Sequence, residues 1–252
     1  MSNTVTSTQN NLIKEISKLK QKKYRQENNQ FLIEGYHLVE EAYNAGLLKT
    51  VFCLESCIYE DIESYIVNDK VLQKLSSLPS PQGIIGVCEI PKKNELSNRV
   101  LILDNVQDPG NIGTLMRSAL SFGFNTIIAC KSADFFNDKV VRSSQGAIFK
   151  LNLISTEIEE FIRNNTDYKF YATDLKTDVY LHDELFNSQK IGIILGNEGT
   201  GVSESILKLV NQKIKIKIQN MESLNVGVAG SIIMYEINKG VKWNGFKIIL
   251  WR

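Results

Sequence analysis

From residue 100 to residue 238 the chain alternates short apolar runs with helical patterns, and this alternation constrains the fold more than any other feature. Strand candidates lie over 100–103, 126–129, 149–154, 169–173, 191–195 and 214–218. Helical periodicity fills most of the gaps, and a long helical pattern over 226–238 follows. This predicts an α/β domain whose mostly parallel sheet is covered on both faces. Sheets of this kind bind ligands in the loops beyond the carboxyl ends of their strands.

The preceding ninety or so residues read as a smaller α/β unit. A helical stripe of Leu12, Ile16 and Leu19 predicts one helix over about 10–28. A strand over 31–34, a helix over 35–46 and a strand over 50–54 follow. Helical pieces are expected over 58–66 and 71–75, then a strand over 84–90. Pro91 opens a polar stretch, so a linker at about 92–98 separates a domain of residues 1–91 from one of residues 99–252. The last twelve residues carry both tryptophans and show no clear pattern.

The formal net charge of the 252 residues is +1, so total charge points to no partner. Its distribution says more. Lys14, Lys18, Lys20, Lys22, Lys23 and Arg25 crowd the start of the chain against a single acid, Glu15. Such a segment is either a phosphate-contacting surface, with Lys18, Lys22, Lys23 and Arg25 as candidates, or a solvated helix face. Two histidines, His37 and His182, exclude a histidine-rich metal site. Cys53, Cys57, Cys88 and Cys130 lack zinc-ligand spacing, so no metal is expected. Cys53, Cys88 and Cys130 lie in apolar stretches, and free thiols suit a reducing compartment. Residues 1–9 lack a signal-peptide core, and no apolar run is long enough to span a membrane. A cytoplasmic protein is expected.

Three segments carry candidate chemistry. In the first, Leu103-Asp104-Asn105-Val106-Gln107-Asp108-Pro109-Gly110-Asn111 ends a strand and turns into a helix, with Asn111 where a cap is expected. Arg117 falls off that helix's apolar stripe. In the second, Leu195-Gly196-Asn197-Glu198-Gly199 leads from a strand into a glycine-rich loop, with Ser203 as the next cap. No Gly-Lys-Ser/Thr follows and the dinucleotide spacing is absent, so neither nucleotide fingerprint is present. In the third, Glu222-Ser223-Leu224-Asn225-Val226 opens a helix made small by Gly227, Ala229, Gly230 and Ser231. Two glycines there cost roughly 1 kcal/mol each relative to alanine, which close approach of a ligand or another backbone would offset. Each segment alone also fits a structural explanation: a cap, a solvated charge, a tight turn, tight packing.

In this order and spacing the three segments resemble the SpoU/TrmH family of RNA ribose 2′-O-methyltransferases, in the SPOUT superfamily. Asn111, Gly113 and Arg117 resemble its first motif, Leu195 to Gly199 its second, and Glu222 to Val226 with Ala229 its third. The resemblance spans about residues 100–239. The Lys-rich start, Phe31-Leu32-Ile33-Glu34-Gly35 and Pro81-Gln82-Gly83 resemble the L30e-like substrate-binding domain of family members. One departure stands out. Where many members have Ile-Pro-Met and a glycine before Ser-Leu-Asn, this chain has Ile216-Lys217-Ile218-Gln219-Asn220-Met221.

The resemblance implies a deep trefoil knot in the C-terminal domain, which general rules of chain topology would reject. It implies a homodimer with its sites near the dimer interface. The cofactor would be S-adenosylmethionine, held by backbone at Gly196, Ile216, Ile218 and Leu224. Arg117 would stand at the reacting hydroxyl, with Asn111, Glu198, Ser223 and Asn225 organising it. The appended N-terminal domain leans towards ribosomal RNA as substrate. Two alternatives remain open: a transfer RNA 2′-O-methyltransferase, and a catalytically silent RNA-binding or ribosome-associated protein of the same fold.

Overall fold

The structure is a computed structural model that describes residues 3–239 apart from 57–58, 93–94, 183–185 and 187. Its first sheet contains β1 (Asn3–Val5), β2 (Gln30–Glu34), β3 (Leu48–Cys53), β4 (Glu63–Val67) and β5 (Ile84–Glu89). Their order is β1-β4-β3-β5-β2. β4 runs parallel to β1 and β3, and β5 antiparallel to β3 and β2. Helices α1 (Asn11–Lys18), α2 (Lys22–Asn28), α3 (Tyr36–Asn44) and α4 (Asp69–Leu75) pack around it. Ile13, Leu19, Val71, Leu72 and Leu75 share a core with Phe52 on one face, and Leu38, Val39 and Ala42 cover the other.

Three expectations for this unit change. The helix expected over 10–28 is two helices. α1 stops because the Arg25 guanidinium takes the carbonyls of Leu19 and Lys20, at 3.0 and 2.8 Å, which a continuous helix would use itself. The helical piece expected over 58–66 is a turn over 59–62 followed by strand β4. Tyr65, Ile66 and Val67 suit a strand, and pairing with β3 on one side and β1 on the other decides their conformation. The polar start of the chain supplies β1, a short edge strand that no apolar pattern announces.

The second sheet contains β6 (Arg99–Asp104), β7 (Thr126–Cys130), β8 (Asn152–Ser155), β9 (Lys169–Thr173), β10 (Ile191–Leu195) and β11 (Gln212–Ile214). All neighbours are parallel, in the order β11-β9-β10-β6-β7-β8. The chain moves outward from β6 to β7 and β8, then returns to the far side through β9 and β10. The order therefore reverses between β6 and β10, and a crevice opens at their carboxyl ends. Helices α5 (Pro109–Ser121) and α9 (Val226–Lys239) pack on one face, while α7 (Ile158–Asn164) and α8 (Glu204–Leu207) pack on the other.

Two strands lie away from their expected positions. Over 149–154 the strand begins only at Asn152, because Ala147–Phe149 forms a 3₁₀ turn that buries Ile148 and Phe149 in the core. Over 214–218 the strand ends at Ile214, and beyond it only Lys215 bridges to Tyr180. Residues 241–252 lie outside the described residues. Among the described residues no helix is long and apolar enough to cross a membrane.

The two sheets share one continuous core. Phe31 of β2 packs on Phe136 with ring centroids 4.9 Å apart, and it stacks on Phe149. Helix α6 (Asp138–Ser144) lies between β2 and α5. The junction is tied by Arg25, which pairs with Asp134 in the loop after β7 and is only 5% exposed. This corrects the expectation for Arg25: it is a buried tie and not a cation free to meet phosphate. Removing the Asp134 carboxylate leaves the buried Arg25 guanidinium unmatched, at about 3–5 kcal/mol. Asp134→Ala should therefore lower Tm by roughly 6–20 °C in a thermal melt. Loss of less than 2 °C would show that the pair contributes nothing.

Candidate active site

The loops after β6 and β10 meet in the crevice where the strand order reverses, and the start of α9 joins them. Helix α5 begins one loop after β6. Its cap is Asp108, whose carboxylate accepts from the Asn111 backbone N–H at 2.8 Å, with Pro109 in the first turn. Asn111 was expected to be that cap. Lying inside the first turn instead, its side chain is free for other partners. Its amide nitrogen donates to Glu198 Oε1 at 3.0 Å. Its amide oxygen accepts from Asn225 Nδ2 at 2.9 Å. The Asn225 oxygen in turn accepts from the backbone N–H groups of Gly227 and Val228, capping α9. The polarity is consistent along the whole chain of bonds, from backbone donors to a carboxylate. One residue from each of the three segments is thus locked to the next.

Other residues hold the loops. Asp104 is 7% exposed, and its carboxylate accepts from the Ser203 N–H at 2.7 Å, which anchors the end of the glycine-rich loop. Ser203 precedes α8 as expected, though its own hydroxyl makes no capping bond. Asn197 donates to the Asn105 carbonyl and accepts from the N–H groups of Gly199 and Thr200. Sequence reasoning gave Asp104 and Asn197 no role. Pro109 was the signal that could have identified Asp108, since proline favours the position just after a cap. Asp104→Ala would leave the Ser203 N–H without its acceptor, at about 1–3 kcal/mol. A urea melt should show the shift, and an unchanged midpoint would deny Asp104 this part.

The small residues serve close packing within the chain. A Cβ at Gly196 would overlap the backbone of Gly201 and Val202. One at Gly113 would overlap Ser143 of α6, and one at Gly230 would strike Leu115 and Leu195. The approach that offsets their helix cost is therefore by the protein's own elements. Asn220 adopts φ +64, the conformation a glycine takes without strain, in the run where the family pattern has its glycine.

The remaining candidates lie apart from the bonded trio. Ser223 and Leu224 are exposed on the loop before α9, Leu224 at 36%. Ile216 is half-buried against the main core, and Ile218 is half-buried further along the same run. Arg117 is exposed on α5, six positions after Asn111, which places it about 9 Å further along the axis and on another face. Among the described residues no side-chain hydrogen bond or ion pair holds it. At the start of the chain Lys22 and Lys23 are exposed and Lys18 bonds Glu15. Lys20 donates to the carbonyls of Lys74 and Ser76, and burial lowers its pKa from the usual lysine value.

Comparison with known proteins identifies this arrangement. Residues 98–235 match the model of the SpoU rRNA Methylase family. The chain belongs to the SpoU rRNA methylase family. Residues 10–86 also match the MRM3-like substrate binding domain. The chain is 33% identical to the 23S rRNA (guanosine(2553)-2′-O)-methyltransferase RlmP of Bacillus subtilis, over 92% of this chain and 98% of that protein. It is 24% identical to the mouse mitochondrial rRNA methyltransferase 3, over 86% of this chain and 69% of that protein. The crystal structure of an AdoMet-bound rRNA methyltransferase from Sinorhizobium meliloti superposes with a TM-score of 0.83 at 26% identity. That match covers 96% of this chain and 99% of the other. In the SpoU family frame, the bonded trio joins the three motif segments at one point.

Proposed function

We propose that this chain is an S-adenosylmethionine-dependent ribose 2′-O-methyltransferase acting on ribosomal RNA in the cytoplasm. The observation that carries the reading is the Glu198–Asn111–Asn225 chain of hydrogen bonds in the crevice between β6 and β10. The near-full-length likeness to a protein named as a 23S rRNA 2′-O-methyltransferase supports the substrate class. In this reading residues 1–91 bind the RNA and residues 99–252 catalyse. The chain leaves β11 at one sheet edge and returns to the centre to place α9 on α5, the passage that the family's trefoil knot requires.

The residues present fit the cofactor. The bonded trio comprises one carboxylate and two amides with no cation among them, which suits a positively charged sulfonium. Met221 and Leu224 are exposed and apolar on the neighbouring loop. Gly196, Ile216, Ile218 and Leu224 would hold the cofactor. When bound, it supplies an activated methyl group. The protein's part is to place the ribose hydroxyl in line with that methyl, and positioning of this kind is worth about 7–11 kcal/mol. Methylation of the ribose oxygen would release the hydroxyl proton to solvent or a neighbouring group. A guanidinium stays protonated, so Arg117 anchors phosphate and stabilises the forming alkoxide and does not act as the base.

Arg117 stands away from the bonded trio of its own chain, and a homodimer brings it there. Leu224, Val228 and Tyr235 form an exposed apolar stripe along the start and outer face of α9, which packs on α5, the helix that carries Arg117. Pairing of two such faces buries the stripe and supplies Arg117 of the partner subunit to each trio. Incubation with tritium-labelled cofactor and an unmodified rRNA transcript tests the reading. Label should enter the RNA with the native protein. Cofactor and RNA binding without transfer would instead mark a silent RNA-binding member of the fold, and label in transfer RNA alone would move the substrate.

A further inference from the structure

A cleft of about 350 Å³ lies between the two sheets, away from the bonded trio. Its walls are α2, the segment after β5, the loop after β7, and β8. Three cations line it: Lys22, Lys92 and the buried Arg25. The single acid in its lining, Asp134, is already engaged by Arg25. Lys22 and Lys92 are exposed and have no ion-pair partner among the described residues. Arg25 also keeps a buried Nε without a hydrogen-bond partner. The floor is apolar, with Phe136 held against Phe31. A cavity of this volume falls within the range that holds small ligands. Its net positive charge and mixed lining select an anionic ligand with one flat apolar part.

The position of the cleft narrows the ligand further. It opens at the carboxyl ends of β7 and β8, the same sheet edge that carries the trio. The loops are continuous there: the Ala133 N–H donates to the Val106 carbonyl, and Ser132 Oγ accepts from the Val106 N–H. Two strand spacings separate β6 from β8, or about 10 Å, roughly three base rises of 3.4 Å. A strand of RNA with its target ribose at the trio therefore passes the cleft a few nucleotides away.

We propose that this inter-domain cleft binds one unpaired nucleotide of the substrate RNA that flanks the methylated one. Lys22 and Lys92 meet its phosphate, and its base lies on the apolar floor. Arg25, fixed by Asp134, keeps the two walls at a constant separation. The cleft thereby sets which nucleotide reaches the trio, since the distance between the two sites is built into one sheet edge. The proposal rests on the methyltransferase reading above.

The test uses Lys22→Glu, Lys92→Glu and the double variant, with the double variant Lys176→Glu, Lys208→Glu outside the cleft as the control for net charge. Each is assayed with an unmodified large-subunit rRNA transcript, and cofactor affinity is measured separately. The expected result is a KM for RNA raised at least about 10-fold in the double variant, with kcat and cofactor Kd within about twofold of native. Lys22→Gln with Lys92→Gln should also reduce the salt slope of RNA binding by about 0.7, the value for one phosphate of a single strand no longer neutralised. A native KM and slope would overturn the proposal, as would an equal loss in the Lys176→Glu, Lys208→Glu double variant. If the native protein itself fails to methylate the transcript, the methyltransferase reading fails. If it methylates normally and the cleft variants do too, only the cleft assignment fails.

Discussion

Arg117→Ala should lower kcat about 10²–10³-fold while leaving cofactor affinity within about twofold, because it removes a charged group that acts on the forming alkoxide. Arg117→Lys should recover little, since an ammonium cannot reproduce a planar fork of donors. The side chain is exposed and has no bonded partner among the described residues, so neither change should disturb the fold. Its separation from Asn111 adds a sharper consequence. When Arg117→Ala and Asn111→Ala proteins are mixed and allowed to exchange subunits, half the dimers combine one of each. Every such dimer contains one intact site, so roughly a quarter of native activity should return. A site built within one chain would give no recovery on mixing.

Gly196→Ala should reduce methyl transfer about 10²-fold through misplacement of the glycine-rich loop. A Cβ there would overlap the backbone of Gly201 and Val202, and backbone cannot rotate out of the way as a side chain can. The loop must open, at about 1–3 kcal/mol, and Asn197 would lose its grip on the Asn105 carbonyl. Gly199→Ala gives the contrast. Among the described residues its Cβ would approach Asn197 Oδ1 at 3.5 Å, an ordinary contact, so its Tm should match the native protein. Parallel melts and cofactor titrations of the two variants distinguish a steric requirement at Gly196 from a general need for glycine. Equal behaviour of the two would reject the steric account.

The second sheet was legible because its strands are buried on both faces. Residues 191–195 read as an almost continuous apolar run and 169–173 as a short apolar centre between Lys169 and Thr173, and β10 and β9 have those bounds. The first sheet was less legible. Residues 63–67 are only partly apolar, and their pairing with β1 and β3 is a long-range fact that no local pattern contains. The same holds for Arg25. Its charge is visible in the sequence, but its burial depends on Asp134, more than a hundred residues away. The candidate site was legible through motif order and not through chemistry. Asn111, Glu198 and Asn225 each had an ordinary structural explanation, and only the reversal of strand order between β6 and β10 brings them together. Ser223 and Arg117 show the limit of that approach, because a single chain leaves both outside the bonded trio.

The central claim is that this chain methylates a ribose 2′-hydroxyl of ribosomal RNA. Mass spectrometry of nucleosides from the large-subunit rRNA of cells lacking the gene tests it most directly. One 2′-O-methylated nucleoside should be missing, and native protein supplied in trans should restore it where the Arg117→Ala protein does not. An unchanged set of 2′-O-methylated nucleosides, or loss of a base-methylated one instead, would contradict the account.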